Sequence, residues 1–241
     1  MILIVDIGNT RIKAAVFEQD RMVELVRTDK TDFRTNLFLI LHKYPLISRM
    51  VVASVADSAE ILQDLPVPVQ YISRRSSFPF VNKYETPDTV GIDRLVLASG
   101  AVIRFPNMNR LVIDAGTCIT YDFIDENDIY YGGAISPGIR LRYESLHAYT
   151  AKLPLLETGI PTHFIGTSTA QSIHSGVVNG AGNEIDGFIA LYQAHAPNFI
   201  IILTGGDADF LAGRLKNTIF ANSNFLIESL NQTFQFQSKN D

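Results

Sequence analysis

Two aspartates stand at the ends of apolar runs, each with glycine two residues on. The first stretch is Asp6-Ile7-Gly8-Asn9-Thr10 and the second is Asp114-Ala115-Gly116-Thr117. A carboxylate, a glycine and small hydrogen-bonding side chains in one turn can bring backbone N–H groups, hydroxyls and a metal-binding carboxylate against a phosphate chain. Arg11, Ile12 and Lys13 follow the first turn, and Lys13 adds positive charge there or is simply a solvated strand residue. A third aspartate lies in Gly91-Ile92-Asp93-Arg94, just ahead of the apolar residues Leu95, Val96, Leu97 and Ala98. Asp93 suits two roles: a helix N-cap, or a general base that takes the proton of an attacking hydroxyl. The Arg94 guanidinium is a fork shaped for a carboxylate, on a ligand or in a surface salt bridge. Residue types alone leave each pair of readings open.

The elements that must hold these groups follow from apolar spacing. Residues 2–5 form an apolar run without alternation, which suits a strand buried on both faces. Apolar residues resume at Ile12, Ala14, Val16 and Phe17, so residues 1–17 read as a hairpin. Residues 111–123 repeat that pattern about a hundred positions later. A repeat at this distance suggests two related halves rather than a solenoid, divided near the turn at 107–110 into 1–108 and 109–241. Strands are expected at 21–28, 49–55, 67–72, 129–135 and 198–203, and helices at 33–43, 56–65, 94–103, 139–149, near 170, and from 179 to 192. Residues 73–82 show no period. Gly205 and Gly206 follow a buried strand and leave room for a flat ring against backbone. The polar segment from Gln235 is expected to fray.

Composition narrows the classes. A chain of 241 residues with 46% hydrophobic residues can bury a substantial core. No apolar run reaches membrane-spanning length, and residue 2 opens a strand where a signal peptide would carry a basic region. With one cysteine, Cys118, no internal disulfide can form, and these features together favour the cytoplasm. A net charge of −5 argues against nucleic acid as partner and leaves ATP admissible.

Six motifs in order carry a resemblance: DIGNT at 6–10, Y-x-x-P-x-x-V-G-I-D-R at 84–94, DAGTCITYD at 114–122, GGAISPG at 132–138, residues 169–176, and TGGDADFL at 204–211. The paired hairpins resemble the superfamily of acetate and sugar kinases, heat-shock chaperone ATPases and actin. Within it the chain resembles the type III pantothenate kinases. That resemblance implies an α/β fold: two similar ribonuclease H-like, actin-like ATPase domains with mixed sheets flanked by helices and a cleft between them. It implies ATP-dependent phosphorylation of pantothenate to 4′-phosphopantothenate, the opening step of coenzyme A synthesis. Asp93 becomes the base, and Tyr84, Gly91, Ile92, Arg94 and Thr169 the pantothenate contacts, with Thr167 as the alternative to Thr169. Residues 6–13 (Asp6, Ile7, Gly8, Asn9, Thr10, Arg11, Ile12 and Lys13) together with Thr117 hold the ATP phosphates. Gly205 and Gly206 lie under adenosine. Asp6 positions Mg²⁺ through water. Asp114 binds K⁺ or NH4⁺, although a carboxylate at a strand end also serves as a purely structural cap. A homodimer with pantothenate at the interface is implied as well. The chain departs from the family's pattern at Thr86, asparagine in many members, and at Ser229, where a glycine often precedes the last leucine. Two other readings stay in view: a transcriptional accessory protein on the same scaffold, and a kinase of another small alcohol.

Overall fold

The computed structural model describes residues 1–8, 11–54, 62–63, 65–196 and 198–240. β1 (Ile2–Ile7) and β2 (Ile12–Glu18) pair antiparallel, with Asp6 opposite Lys13 and Ile7 opposite Ile12. β3 (Arg21–Thr28) adds antiparallel to β2. β4 (Met50–Ser54) runs parallel to β1, and β5 (Val69–Tyr71) parallel to β4. The order is β3-β2-β1-β4-β5. Leu3, Val5 and Ile7 share a core with Phe33, Leu37 and Ile40 of α1 (Phe33–Lys43). Strand alternation therefore turns Ile4 and Asp6 to the opposite face. That face is covered by α2 (Ile92–Arg104), packed on β4, and by the last helix, α7 (Phe225–Asn240), packed on β1, β2 and β4.

The second sheet repeats this plan. β7 (Asn109–Ala115) pairs antiparallel with β8 (Cys118–Ile124). β10 (Phe199–Thr204) runs parallel to β7, and β11 (Phe220–Ala221) parallel to β10. With β9 (Ile129–Pro137) the order is β11-β10-β7-β8-β9, and the two-residue β6 (Val81–Asn82) pairs with Ile129 and Tyr130 at the start of β9. Each sheet thus has a leading hairpin strand with two later strands parallel on one side, which is the internal repeat seen in three dimensions. Leu111, Ile113 and Ala115 pack under Ile139 and Tyr143 of α3 (Ile139–Ala148), Ile173 of α4 (Thr169–His174), Val177 of a π-helical segment (Ser175–Asn179) and Ile185 of α5 (Gly180–His195). A short α6 (Ala208–Ala212) adds Ala208 and Leu211 to that core.

The chain forms two compact units: Met1–Asn107 with Glu126–Tyr131 and Asn224–Asp241, and Met108–Asp125 with Gly132–Ser223.

Several expected elements shift. The helix expected at 56–65 falls largely outside the described residues. The strand at 67–72 is shorter than expected, and 73–82 contains the small β6. α2 begins at Ile92, two residues early, because extended Gly91 is its N-cap. The expected fraying from Gln235 does not occur, and α7 continues to Asn240. Ile227, Leu230, Phe234 and Gln237 recur at helical spacing and are all buried. The Gln237 amide donates to the Ser77 carbonyl at 2.8 Å, so a polar residue is buried at little cost.

Candidate active site

Asp6 ends β1 on the face covered by α2, and Asp93 occupies the first turn of α2. The two carboxylates are near enough to repel. Burial pushes the Asp6 carboxyl up to about 6, Lys13 across the hairpin pulls it down, and Asp93 pushes it further up. A half-buried carboxylate that resists ionisation is one that a cation would relieve. The turn beyond it is tight: the Gly8 N–H donates to the Arg11 carbonyl at 3.2 Å, and a Cβ at residue 8 would sit 3.0 Å from that oxygen. Ile7 and Ile12 are core residues, so only their backbone is available to a ligand, whereas Arg11 is exposed. Asn9 and Thr10 lie outside the described residues.

Asp93 is not the cap of α2. Its Oδ1 accepts the Arg94 N–H at 2.9 Å. A methyl group at Gly91 would come within 2.3 Å of the same oxygen, so the glycine gives the carboxylate its space. Ile92 and Arg94 are buried. The Arg94 guanidinium lies over the Tyr84 ring, 5.4 Å from its centroid, and Tyr84 is tilted against buried Tyr130 at 6.3 Å. Tyr84, Gly91, Ile92, Asp93 and Arg94 are thus one local assembly. Thr86 is engaged in the preceding turn, its hydroxyl 2.7 Å from that of Thr89.

In the second unit Asp114 ends β7 and lies opposite Thr204 of β10 and Thr120 of β8. Neighbours in register share a face, so the three form one row. The Thr204 and Thr120 hydroxyls are buried, with no hydrogen-bond partner among the described residues. Gly205 has φ +98°, and a Cβ there would meet the Ala115 carbonyl at 2.3 Å and Asp114 Oδ1 at 2.4 Å. Only glycine fits this approach. Gly206 is open, and burial raises the carboxyl of neighbouring Asp207 above the ordinary range. Thr117 is exposed, and its carbonyl accepts the Gly138 N–H at 3.0 Å.

Ser168 caps α4 by accepting the Gln171 N–H, which leaves Thr169 as the exposed first helical residue. The Thr167 hydroxyl is committed to Gln171 at 2.7 Å. A cavity of about 480 Å³ opens beside Thr167, walled by Ile160, His163, Gln171 and His174. Sequence reasoning missed the cluster around Glu184, because its members are dispersed along the chain. The partnerless Thr204 and Thr120 hydroxyls were equally hidden, since neither spacing nor type tells a bonded threonine from an unbonded one.

The family described as type III pantothenate kinase matches residues 2–191. The chain belongs to this family. It is similar over the whole length of both chains, at 61% identity, to a type III pantothenate kinase of Flavobacterium johnsoniae. It is 39% identical to one of Bacteroides fragilis, over 99% of each chain. Among solved structures it resembles a Campylobacter jejuni chain described as a Baf-family transcriptional activator, with TM-score 0.66 and 20% identity over 99% of this chain and 100% of that one. It also resembles the activator of the 2-hydroxyisocaproyl-CoA dehydratase of Clostridium difficile with bound ADPNP, with TM-score 0.56 and 13% identity over 99% and 96%. At such identities these two structures show a shared fold, one of mixed sheets flanked by helices.

Proposed function

We propose that this chain transfers the γ-phosphoryl group of ATP to the primary hydroxyl of pantothenate, the first committed chemistry towards coenzyme A. The observation that carries the reading is the meeting of Asp6, at the end of β1, with Asp93, in the first turn of α2. Asp93 sits where a substrate hydroxyl would meet a carboxylate base, and Arg94 beside it offers a fork for the pantothenate carboxylate. Phosphoryl transfer needs placement and charge neutralisation more than covalent help. Residues 6–13 and Thr117 are assigned to the ATP phosphates, and Gly205 and Gly206 to adenosine.

The donor set fits a divalent ion at Asp6, whose buried charge such an ion would offset. Among the described residues no group of three or more His, Cys, Asp or Glu forms a metal cluster. An ion held there through water would neutralise phosphate charge. A monovalent cation, K⁺ or NH4⁺, fits Asp114, because the partnerless Thr204 and Thr120 hydroxyls supply further oxygens on the same face. Thr169 is assigned to pantothenate across a homodimer interface, in a cytoplasmic enzyme without nucleic-acid or membrane partners. Among the described residues no helix is long and apolar enough to cross a membrane.

The test is ADP release with ATP-Mg²⁺ and pantothenate, run in parallel in K⁺, NH4⁺ and Na⁺. Turnover that requires pantothenate and is fastest in K⁺ or NH4⁺ is expected. Turnover with other small alcohols but not pantothenate would move the assignment to another acceptor. A folded protein silent in every salt, yet retained on DNA in a salt-dependent way, would favour the regulatory reading.

A further inference from the structure

The second phosphate turn is held by a network that no local motif contains. The Gly138 N–H donates to the Thr117 carbonyl, and Gly138 lies so close that a Cβ would come within 1.9 Å of the Gly116 carbonyl and 2.7 Å of that of Thr117. The turn can therefore be no better ordered than the Ser136-Pro137-Gly138 segment. That segment is gripped from one side chain of α5. Glu184 Oε1 accepts the Ser136 hydroxyl at 2.5 Å and the hydroxyl of fully buried Tyr121 at 3.1 Å. Glu184 Oε2 accepts Arg142 Nη2 at 2.7 Å, and the Nε of the same arginine donates to the Pro137 carbonyl at 2.8 Å. One carboxylate thus holds Ser136 directly and Pro137 through Arg142. Burial works against its charge, but donations from Arg142, Ser136 and Tyr121 outweigh it and hold the carboxyl below the ordinary range.

We propose that Glu184 is a positioning residue for nucleotide binding: through Ser136 and Arg142 it fixes the backbone against which Thr117 presents itself to the ATP phosphates. The proposal rests on the reading of Thr117 as a phosphate contact, and the experiment separates the two. Its chemistry is suited to orientation, because three groups, from β8, β9 and α3, converge on one carboxylate. Misplacing a binding turn by about an ångström is enough to weaken its contact by about tenfold or more.

The experiment measures steady-state kinetics of Glu184→Gln, Thr117→Ala and the double variant, with Arg142→Lys as a second route into the network should Glu184→Gln fail to fold. Circular dichroism establishes that each protein is folded at the assay temperature. The expected result is a KM for ATP raised about tenfold in Glu184→Gln, with KM for pantothenate changed by less than about twofold. Arg142→Lys keeps the charge but loses the Nε contact to Pro137, and is expected to move the same way. The double variant should match Thr117→Ala alone, since both act at one turn. A purely structural Glu184 would lower the melting temperature and leave the ratio of the two KM values untouched, which overturns the proposal. Effects that multiply in the double variant overturn it too. If Thr117→Ala leaves KM for ATP unchanged, the phosphate role of Thr117 fails and the proposal falls with it.

Discussion

A carboxylate at the end of a buried strand is costly to ionise, and Asp6 carries that cost. Burial, the largest cause, pushes its carboxyl in the folded chain up to about 6 from a reference value of 3.8. Between those values the folded chain keeps a proton that the unfolded chain has released, so stability falls as pH rises through this window. Above about pH 6 the full penalty applies, on the order of 2–3 kcal/mol. Asp6→Asn, melted in chelator, is therefore expected to be several degrees more stable than the parent at pH 7.5, with little difference at pH 3.5. The same variant should lose ATP turnover. An equal change in melting temperature at both pH values would refute the assignment of the cost to this charge. Asp93→Asn is predicted to lower kcat by about 10²–10⁴ with the fold retained, the range for removing a general base. Near-normal kcat would sink that role. At this scale the sequence was highly legible: Asp6, Asp93 and Asp114 stood out by type and position. Glu184 did not, because a glutamate in a helix is ordinary until Tyr121, Ser136 and Arg142 are seen to converge on it.

Close approaches between elements carry their own tests. Gly205 sits at positive φ with its missing Cβ facing the Ala115 carbonyl, whereas Gly206 faces open space. Gly205→Ala is expected to cost about 1–3 kcal/mol, while Gly206→Ala is expected to be close to neutral. Comparable melting temperatures for the two would contradict this placement of the turn. A second approach joins α2 to α7. A Cβ at Gly100 would meet the Ser229 Cβ at 2.4 Å and its Cα at 2.9 Å. Gly100→Ala should therefore destabilise the chain, and adding Ser229→Gly should recover part of the loss. No recovery would mean that the clash is relieved elsewhere. The hairpins, α1 and β10 were readable because their apolar periods are strong. The start of α2 was misjudged by two residues because Gly91 caps by backbone shape rather than by a side chain. The length of α7 was misjudged because Gln237 reads as solvent-facing until the Ser77 carbonyl is found to accept from it.

Across the whole molecule, the two sheets share one strand order, and the echo of Asp-x-Gly in the sequence was its visible trace. What the echo could not reveal is that the first unit takes its last helix from the far end of the chain. α7 covers β1 and β4 and lies against α2, the helix that bears Asp93. Removing residues 224–241 is predicted to uncover that sheet face and abolish pantothenate-dependent turnover, measured beside the yield of soluble protein. A truncated chain that keeps its activity would show that α2 needs no such support.

This arrangement sets an order of events during synthesis. The ribosome makes β1, β2 and α2 early, yet the helix that seals them leaves the exit tunnel after all of Gly132–Ser223 has been made. Until then the Ile4 face of the first sheet stays open and sticky. A nascent chain of this kind invites a chaperone at its front half, and a chain ended between α2 and α7 would carry Asp93 on a helix without its α7 neighbour.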